Sequence, residues 1–143
     1  MLTISPAHAQ KNEPPSGQFG MGIYASNFYP SGIEGIYAVS ENLQVGSELG
    51  LRVGTGNTIF LFAPFVRFQF SSKVSPFIQG GFNIADYGGA ANAGLFFGGG
   101  LAYYLNRTVG VHADVDIINV TFTAPSSIFF GWSIVRAGAD WFF

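Results

Sequence analysis

Cysteine is absent from the 143-residue sequence, so neither a disulfide framework nor a thiolate site can form. Charged side chains are also scarce, at 10% of residues, whereas soluble domains carry about a quarter. Lysine and arginine occur singly and the net charge is -2, which excludes the basic patch that nucleic-acid binding needs. Any metal chemistry would have to rely on histidine and carboxylates.

The sequence also lacks the long apolar runs of membrane helices. Glycine, proline and single charges interrupt every run before it reaches the roughly 18 residues that a spanning helix requires. Yet 48% of the residues are hydrophobic and 17% aromatic, so some large surface must be apolar. The 20 glycines disfavour helix interiors, and the 16 phenylalanines, with many Val, Ile and Tyr residues, favour strands. We therefore predict an all-β protein.

The N-terminus carries an export signature. Ala7, His8 and Ala9 followed by Gln10 form the small-x-small pattern of a signal-peptide cleavage site. We interpret residues 1–9 as the remnant of an export signal and residues 10–17 as a flexible polar leader. An ordinary disordered N-terminus is the alternative. Residues 18–143 form the predicted domain.

Turn signals divide this domain into eight segments of about ten residues, the length of a tilted strand that crosses a bilayer. An even number of strands suits a closed antiparallel up-and-down barrel whose first and last strands pair. The approximate spans are 18–27, 32–40, 43–53, 58–70, 74–85, 93–105, 108–119 and 128–143.

The distribution of polar and apolar residues between the two faces of these segments indicates which face contacts water. In segment 43–53, leucine and valine dominate one face, and Gln44, Glu48, Arg52 and two glycines form the other. A soluble barrel needs many charges on its outer face, but these polar faces carry few. They are better explained as the lumen of a membrane barrel whose apolar faces contact lipid.

Two segments depart from this pattern. In 58–70, apolar residues such as Leu61 and Phe65 share the lumen face with Arg67. In 128–143, Phe130, Trp132 and Ile134 would also face inward. Either a bulge exchanges the faces of each strand, or an apolar plug fills one end of the lumen. The sequence leaves both alternatives open.

Loop lengths predict the orientation. The connections at 40–42, 71–73 and 106–107 are tight, whereas those near 28–31, 54–57, 86–92 and 120–127 are mostly longer. Because periplasmic turns are the short ones, both termini are expected in the periplasm.

The C-terminus carries a family resemblance. Arg136 and Gly138 fall on the lumen face, and Trp141 and Phe143 point outward, where barrels carry an aromatic girdle. This ending resembles the terminal assembly signal of bacterial outer-membrane barrels, and residues 18–143 resemble the small OmpA/OmpX-like family. The resemblance implies a Gram-negative outer-membrane location, contact with membrane lipids and the barrel-assembly machinery, and a monomer.

Nearly all charges of the barrel fall on predicted lumen faces, and the interior of eight strands is narrow enough for side chains to fill it. We expect them to pair with one another, Arg136 with Asp114 in particular, because an unpaired buried charge is costly. The predicted lumen network comprises Glu34, Glu48, Arg52, Arg67, His112, Asp114, Asp116, Arg136 and Asp140.

His112, Asp114 and Asp116 share one strand face, which is compatible with a catalytic or metal cluster. No companion ligand or nucleophile is evident, and the favoured explanation is a satisfied polar network, which the lumen needs in any case. Outer-membrane lipid A deacylases carry serine where this chain has Asp114. We therefore assign no catalytic residue, metal or cofactor. Gly98, Gly99 and Gly100 lack the Gly-Lys-Ser/Thr of a phosphate loop and are expected to ease curvature or make room for a neighbouring side chain.

Three functions remain. The first is a non-enzymatic outer-membrane barrel with a packed polar lumen, which serves envelope structure or surface contact. The second is a narrow porin or a lateral conduit for small hydrophobic molecules. The third is a lipid-modifying enzyme built around His112 and Asp114.

Overall fold

The computed structural model describes residues 14–70, 72–122 and 127–143, without the side chains of residues 132 and 133. Eight antiparallel strands form one closed barrel, which confirms the predicted all-β class. The strands are β1 (Gln18–Ser26), β2 (Gly32–Ala38), β3 (Leu43–Val53), β4 (Thr58–Gln69), β5 (Val74–Tyr87), β6 (Ala91–Tyr104), β7 (Val109–Thr121) and β8 (Ser127–Phe142).

Each strand pairs with its neighbours in the chain, and β1 pairs with β8 to close the sheet. Gly22 of β1, for example, lies between Glu34 of β2 and Asp140 of β8. The predicted closure of the first and last strands is thus confirmed. Within the described residues, no helix is long and apolar enough to cross a membrane. The predicted export remnant, residues 1–9, and residues 10–13 of the leader lie outside the described residues.

The barrel is apolar outside, and its interior holds most of the charged side chains of the strands. Because side chains alternate along a strand, one set faces the lumen and the other faces outward. Outward residues such as Phe19, Leu51 and Leu101 are more than half exposed, whereas Glu34, Arg67 and Asp116 expose 1% or less. The interior therefore holds these charged side chains, together with buried apolar ones such as Leu61 and Phe96.

In β4, the apolar plug is the correct alternative. The ladder between β3 and β4 runs without a register shift from Leu43–Phe68 to Val53–Thr58. Leu61, Ala63 and Phe65 are buried on the same face as Arg67. The bulge hypothesis is wrong for this strand. Its apolar side chains face inward and fill the lumen, whereas a bulge would have turned them outward.

In β7 and β8, the alternation is broken. The ladder between them changes register between Asp116 and Ile118, and the β6–β7 ladder shifts between Phe97 and Gly98. Ile134 is buried, but Phe130 is 71% exposed. The expectation that Phe130 faces inward is wrong because of this irregularity. The side chain of Trp132 lies outside the described part.

The connections between strands are of similar length at the two ends of the barrel. The end where β1 begins and β8 ends, here the termini end, has the turns 39–42, 70–73 and 105–108. The opposite end, here the loop end, has 27–31, 54–57, 88–90 and 122–126. The expected contrast in loop length is wrong, because β5 continues to Tyr87 and β6 begins at Ala91, which shortens the connection between them.

Candidate functional site

A cluster of buried charges lies in the lumen, here the lumen cluster. Five strands contribute to it, because the inward positions of β2, β3, β4, β7 and β8 carry ionisable residues at similar heights. The members are Glu34, Glu48, Arg67, His112, Asp114, Asp116, Arg136 and Asp140, each no more than 6% exposed.

Arg136 occupies one side of the cluster and binds two carboxylates of β7. Its Nε and Nη2 donate to Oδ2 of Asp114 at 2.9 and 2.7 Å, and its Nη2 donates to Oδ1 of Asp116 at 2.5 Å. Glu48 lies 3.6 Å from Nε, and the Phe96 ring lies 5.2 Å from the guanidinium carbon. The structure thus brings Arg136 and Asp114 together on the adjacent strands β7 and β8, where multiple charge-assisted hydrogen bonds hold them.

Arg67 occupies another side of the lumen cluster. Its Nε donates to Oε1 of Gln79 at 3.1 Å, and its Nη2 lies 3.8 Å from Oε2 of Glu34. The guanidinium also stacks between two rings, 5.0 Å from the centroid of Phe65 and 4.6 Å from that of Phe77. Aromatic faces attract a cation, so the plug residue Phe65 both fills the lumen and contacts the charge.

His112 lies between the carboxylates of three strands. Its Nε2 is 2.8 Å from Oε1 of Glu34 and 3.8 Å from Oδ2 of Asp140, and its Nδ1 is 3.5 Å from Oδ1 of Asp114. The proposed grouping of His112 with Asp114 and Asp116 on one strand is therefore divided. Asp116 contacts Arg136, whereas His112 contacts Glu34 and lies near Asp140 across the seam, which is the pairing of β1 with β8 that closes the barrel.

Glycines make room for these side chains. Gly98 and Gly100 of β6 lie directly opposite Asp116 and Asp114 in the ladder. A Cβ at Gly100 would lie 2.6 Å from Cβ of Asp114, and one at Gly98 would lie 2.9 Å from Cα of Asp116. The glycine run thus serves close packing beside the lumen cluster.

Both ends of the lumen contain packed side chains. At the termini end, the Tyr104 hydroxyl donates to Oε1 of Gln69 at 2.7 Å and accepts from Nε2 of Gln44 at 3.1 Å. Towards the loop end, Leu61, Ala63, Phe65 and Phe96 are buried together. Tyr29, in the loop after β1, packs against this core, and burial raises the pKa of its hydroxyl.

Contrary to the expectation from the alternation, Arg52 stands apart from the lumen cluster. It lies near the loop end of β3, is exposed, and donates from Nη2 to the backbone carbonyl of Tyr29 at 3.1 Å. Alternation along β3 predicts that Arg52 faces the lumen. Because the residue lies near the end of the strand, its long side chain reaches the loop instead.

The cluster carries more acidic than basic groups. Among the described residues, five buried carboxyl groups face two buried guanidinium groups and one imidazole. Several acceptor atoms lack a hydrogen-bond partner in the described part of the chain, among them Oε2 of Glu48 and Oδ1 of Asp140. Burying charge without compensation is expensive, so this excess calls for bound protons or a cation.

The C-terminal residues divide between the two faces. Arg136 and Gly138 lie on the lumen side, whereas Trp141 and Phe143 are 45% and 73% exposed on the outside. Sequence reasoning missed Gln79, which accepts from Arg67 and donates to Oδ2 of Asp114 in the lumen cluster. Its inward position in the alternation of β5 was a usable signal, but a neutral side chain does not mark a charge network.

Comparison with known proteins identifies a fold relative. No protein-family model and no curated protein matches the sequence. The crystal structure of the N-terminal β-barrel domain of Pseudomonas aeruginosa OprF matches with a TM-score of 0.69, over 90% of this chain and 98% of that domain. The sequence identity is 11%. The chain therefore has the fold of this eight-stranded barrel domain.

Proposed function

We propose that this chain is an integral outer-membrane protein of the Gram-negative type, non-enzymatic, which contributes to envelope structure or surface contact. The observation that carries the proposal is the inverted distribution of side chains. Phenylalanine, leucine, isoleucine and valine cover the outside, while the lumen holds the charges. In water this arrangement would expose a far larger apolar surface than monomeric soluble proteins tolerate, but it matches a lipid environment.

The closed sheet supports the same proposal. A strand edge in hydrocarbon would leave backbone groups unpaired at a cost of several kcal/mol each. Here β1 pairs with β8 over seven residue pairs, from Gly20–Phe142 to Ser26–Arg136. The backbone of the barrel can therefore enter a bilayer without an open edge.

The filled lumen favours a structural role over transport. Arg67 and Arg136 are held across the interior by carboxylates, amides and aromatic rings, and solute passage would require these contacts to open. Nor does a specific contact favour the lipid-modifying enzyme, since both ring nitrogens of His112 face carboxylate oxygens, which leaves neither nitrogen to activate a nucleophile. Orientation also belongs to the proposal: β1 begins and β8 ends at the same end of the barrel. We assign this end to the periplasm because the C-terminal residues resemble the assembly signal, whose aromatic residues lie at the periplasmic interface.

The mobility of the refolded protein in SDS gels tests the proposal directly. The full chain is refolded into detergent micelles, and unheated and boiled samples are compared. We expect a mobility shift on boiling, because a closed, lipid-facing barrel resists SDS at room temperature. A protein that is soluble and β-rich without detergent, and that migrates identically before and after boiling, would overturn the membrane assignment.

The proposed assembly signal, Arg136, Gly138, Trp141 and Phe143, has its own test. Phe143→Ser, expressed behind a cleavable export signal in a Gram-negative cell, is expected to reach the outer membrane several-fold less than the wild-type chain. Phe130→Ser is the matched control, because Phe130 is similarly exposed but lies far from the C-terminus. Equal losses in both variants would contradict a role in assembly and indicate a general loss of apolar surface.

A further inference from the structure

We propose that Glu34, His112 and Asp140 form a binding site for one divalent transition-metal ion, with Zn²⁺ the best match. This group, here the seam triad, comes from β2, β7 and β8 and is buried, with each residue 6% exposed or less. The proposal goes beyond the structural role proposed above. It concerns the lumen alone and does not depend on where the barrel resides.

The distances within the seam triad suit a small metal ion. One ligand atom from each residue lies within 4.8 Å of the other two. Nε2 of His112 is 2.8 Å from Glu34 and 3.8 Å from Asp140. Tetrahedral Zn²⁺ with ligands at about 2.0–2.1 Å places ligand atoms about 3.4 Å apart, midway between these two distances. Small side-chain movements would therefore complete three protein ligands.

The triad also holds unsatisfied ligand atoms. Oδ1 of Asp140 and Oε2 of Glu34 are buried and have no hydrogen-bond partner among the described residues. Asp140 in particular approaches His112 only at 3.8 Å, too far for a hydrogen bond. A buried carboxylate with a free oxygen beside an imidazole nitrogen is a ligand set that a cation would satisfy.

Two glycines form the floor of the site. Gly22 of β1 lies between Glu34 and Asp140 in the ladder, and Gly138 of β8 lies opposite His112. A Cβ at Gly22 would overlap Oδ1 of Asp140 and lie 2.9 Å from Cγ of Glu34, while one at Gly138 would overlap Nε2 of His112. Only glycine at these positions lets the three ligand side chains converge.

The orientation of His112 matches that of a metal ligand. Metal-bound histidines commonly donate their second ring nitrogen to a carboxylate, which fixes the ring and raises its basicity. Here Nδ1 of His112 lies 3.5 Å from Oδ1 of Asp114, and neither atom has a hydrogen-bond partner among the described residues. Arg136 holds Asp114 beside the ring, so a small movement of the imidazole would complete this hydrogen bond while Nε2 stays directed at the two remaining carboxylates.

Charge and ligand type select the metal class. The lumen cluster has three more carboxyl groups than guanidinium groups, so a divalent cation would offset much of the excess. An imidazole among the ligands suits Zn²⁺ and its transition-metal neighbours, whereas Mg²⁺ and Ca²⁺ prefer oxygen ligands throughout. A bound ion would join β2 to β7 and β8 across β1, and so strengthen the closure of the barrel.

The test measures metal binding to the full chain. The protein is refolded in detergent micelles, once without metal and once with Zn²⁺ present, dialysed, and analysed for metal per barrel. We expect one Zn²⁺ per barrel, and Co²⁺ in its place should give the intense visible absorption of tetrahedral coordination. If the wild-type barrel refolded with Zn²⁺ does not retain stoichiometric Zn²⁺ after dialysis, the proposal is overturned.

Variants locate the ion. His112→Gln and Asp140→Asn should each weaken Zn²⁺ binding by at least about tenfold, the lower end of the losses seen when even outer-shell partners are removed. His8→Gln controls for the other histidine of the chain, and Asp86→Asn for an exposed carboxylate outside the lumen cluster. Both controls should bind like the wild type.

The gel-mobility shift confirms that each variant is folded before binding is compared. If His112→Gln does not fold, the metal binding of Asp140→Asn and the Co²⁺ spectrum of the wild type decide whether the seam triad holds the ion. Undiminished binding in the folded triad variants, or loss of binding in His8→Gln, would place the metal elsewhere and refute the site.

Discussion

Arg136→Met is expected to lower the free energy of unfolding of the barrel by about 3–5 kcal/mol, the cost of breaking a buried ion pair from one side. Arg136 is 2% exposed and holds Asp114 and Asp116, with Glu48 nearby. Without the guanidinium, the three carboxylates would face one another in a narrow, desolvated space. Urea unfolding of refolded protein in phospholipid vesicles, followed by tryptophan fluorescence, measures the loss.

Arg52→Met is the matched control for this experiment. Arg52 is exposed at the loop end and donates to backbone carbonyls, so its loss should cost about 1 kcal/mol or less. The triple variant Arg136→Met with Asp114→Asn and Asp116→Asn should recover part of the stability, because it removes the charges that Arg136 compensates. Equal stability of wild type and Arg136→Met would show that the lumen cluster is solvated and contributes nothing to the fold.

The second large effect is expected on the outer face. Phe97→Lys should destabilise the barrel in vesicles by about 2–4 kcal/mol, the cost of a lysine on the lipid face near the bilayer midplane. Phe97 is the seventh of the 14 residues of β6, lies between Gly80 and Ile118 in the ladder, and is 44% exposed. The same unfolding measurement in vesicles gives the value.

Phe97→Leu separates lipid contact from side-chain packing. Leucine keeps an apolar group at the position, so this variant should lie much closer to the wild type than Phe97→Lys does. If the outer surface were in water, the lysine would cost little, since substitutions at exposed surface positions usually change stability by about 0.5 kcal/mol or less. A near-neutral Phe97→Lys would therefore argue for a soluble barrel.

The likeness to the OprF barrel domain concerns the fold, and a fold of this kind hosts many functions. What distinguishes this chain is the content of its lumen. Its five buried carboxyl groups, with one histidine placed between two of them, are the features from which a specific role would arise.

The sequence by itself determined the architecture and the direction of most side chains. The period of two in a strand separates inward from outward residues without any knowledge of neighbours, which is why Glu34, Glu48, Arg67 and Asp140 were assigned to the interior. Turn residues marked eight strands, and an even number with apolar faces on one side led to a closed barrel. These inferences depend on local periodicity, which the sequence displays.

Only the tertiary structure decided which interior groups meet. His112 and Glu34 are 78 positions apart in the chain and join across the seam formed by β1 and β8, a contact that depends on the register of every ladder between them. The register shift beside Asp116, the plug in β4 and the reach of Arg52 are likewise set by packing. A one-residue change of register moves a side chain to the other face or past its partner, and alternation alone carries no information about register between strands.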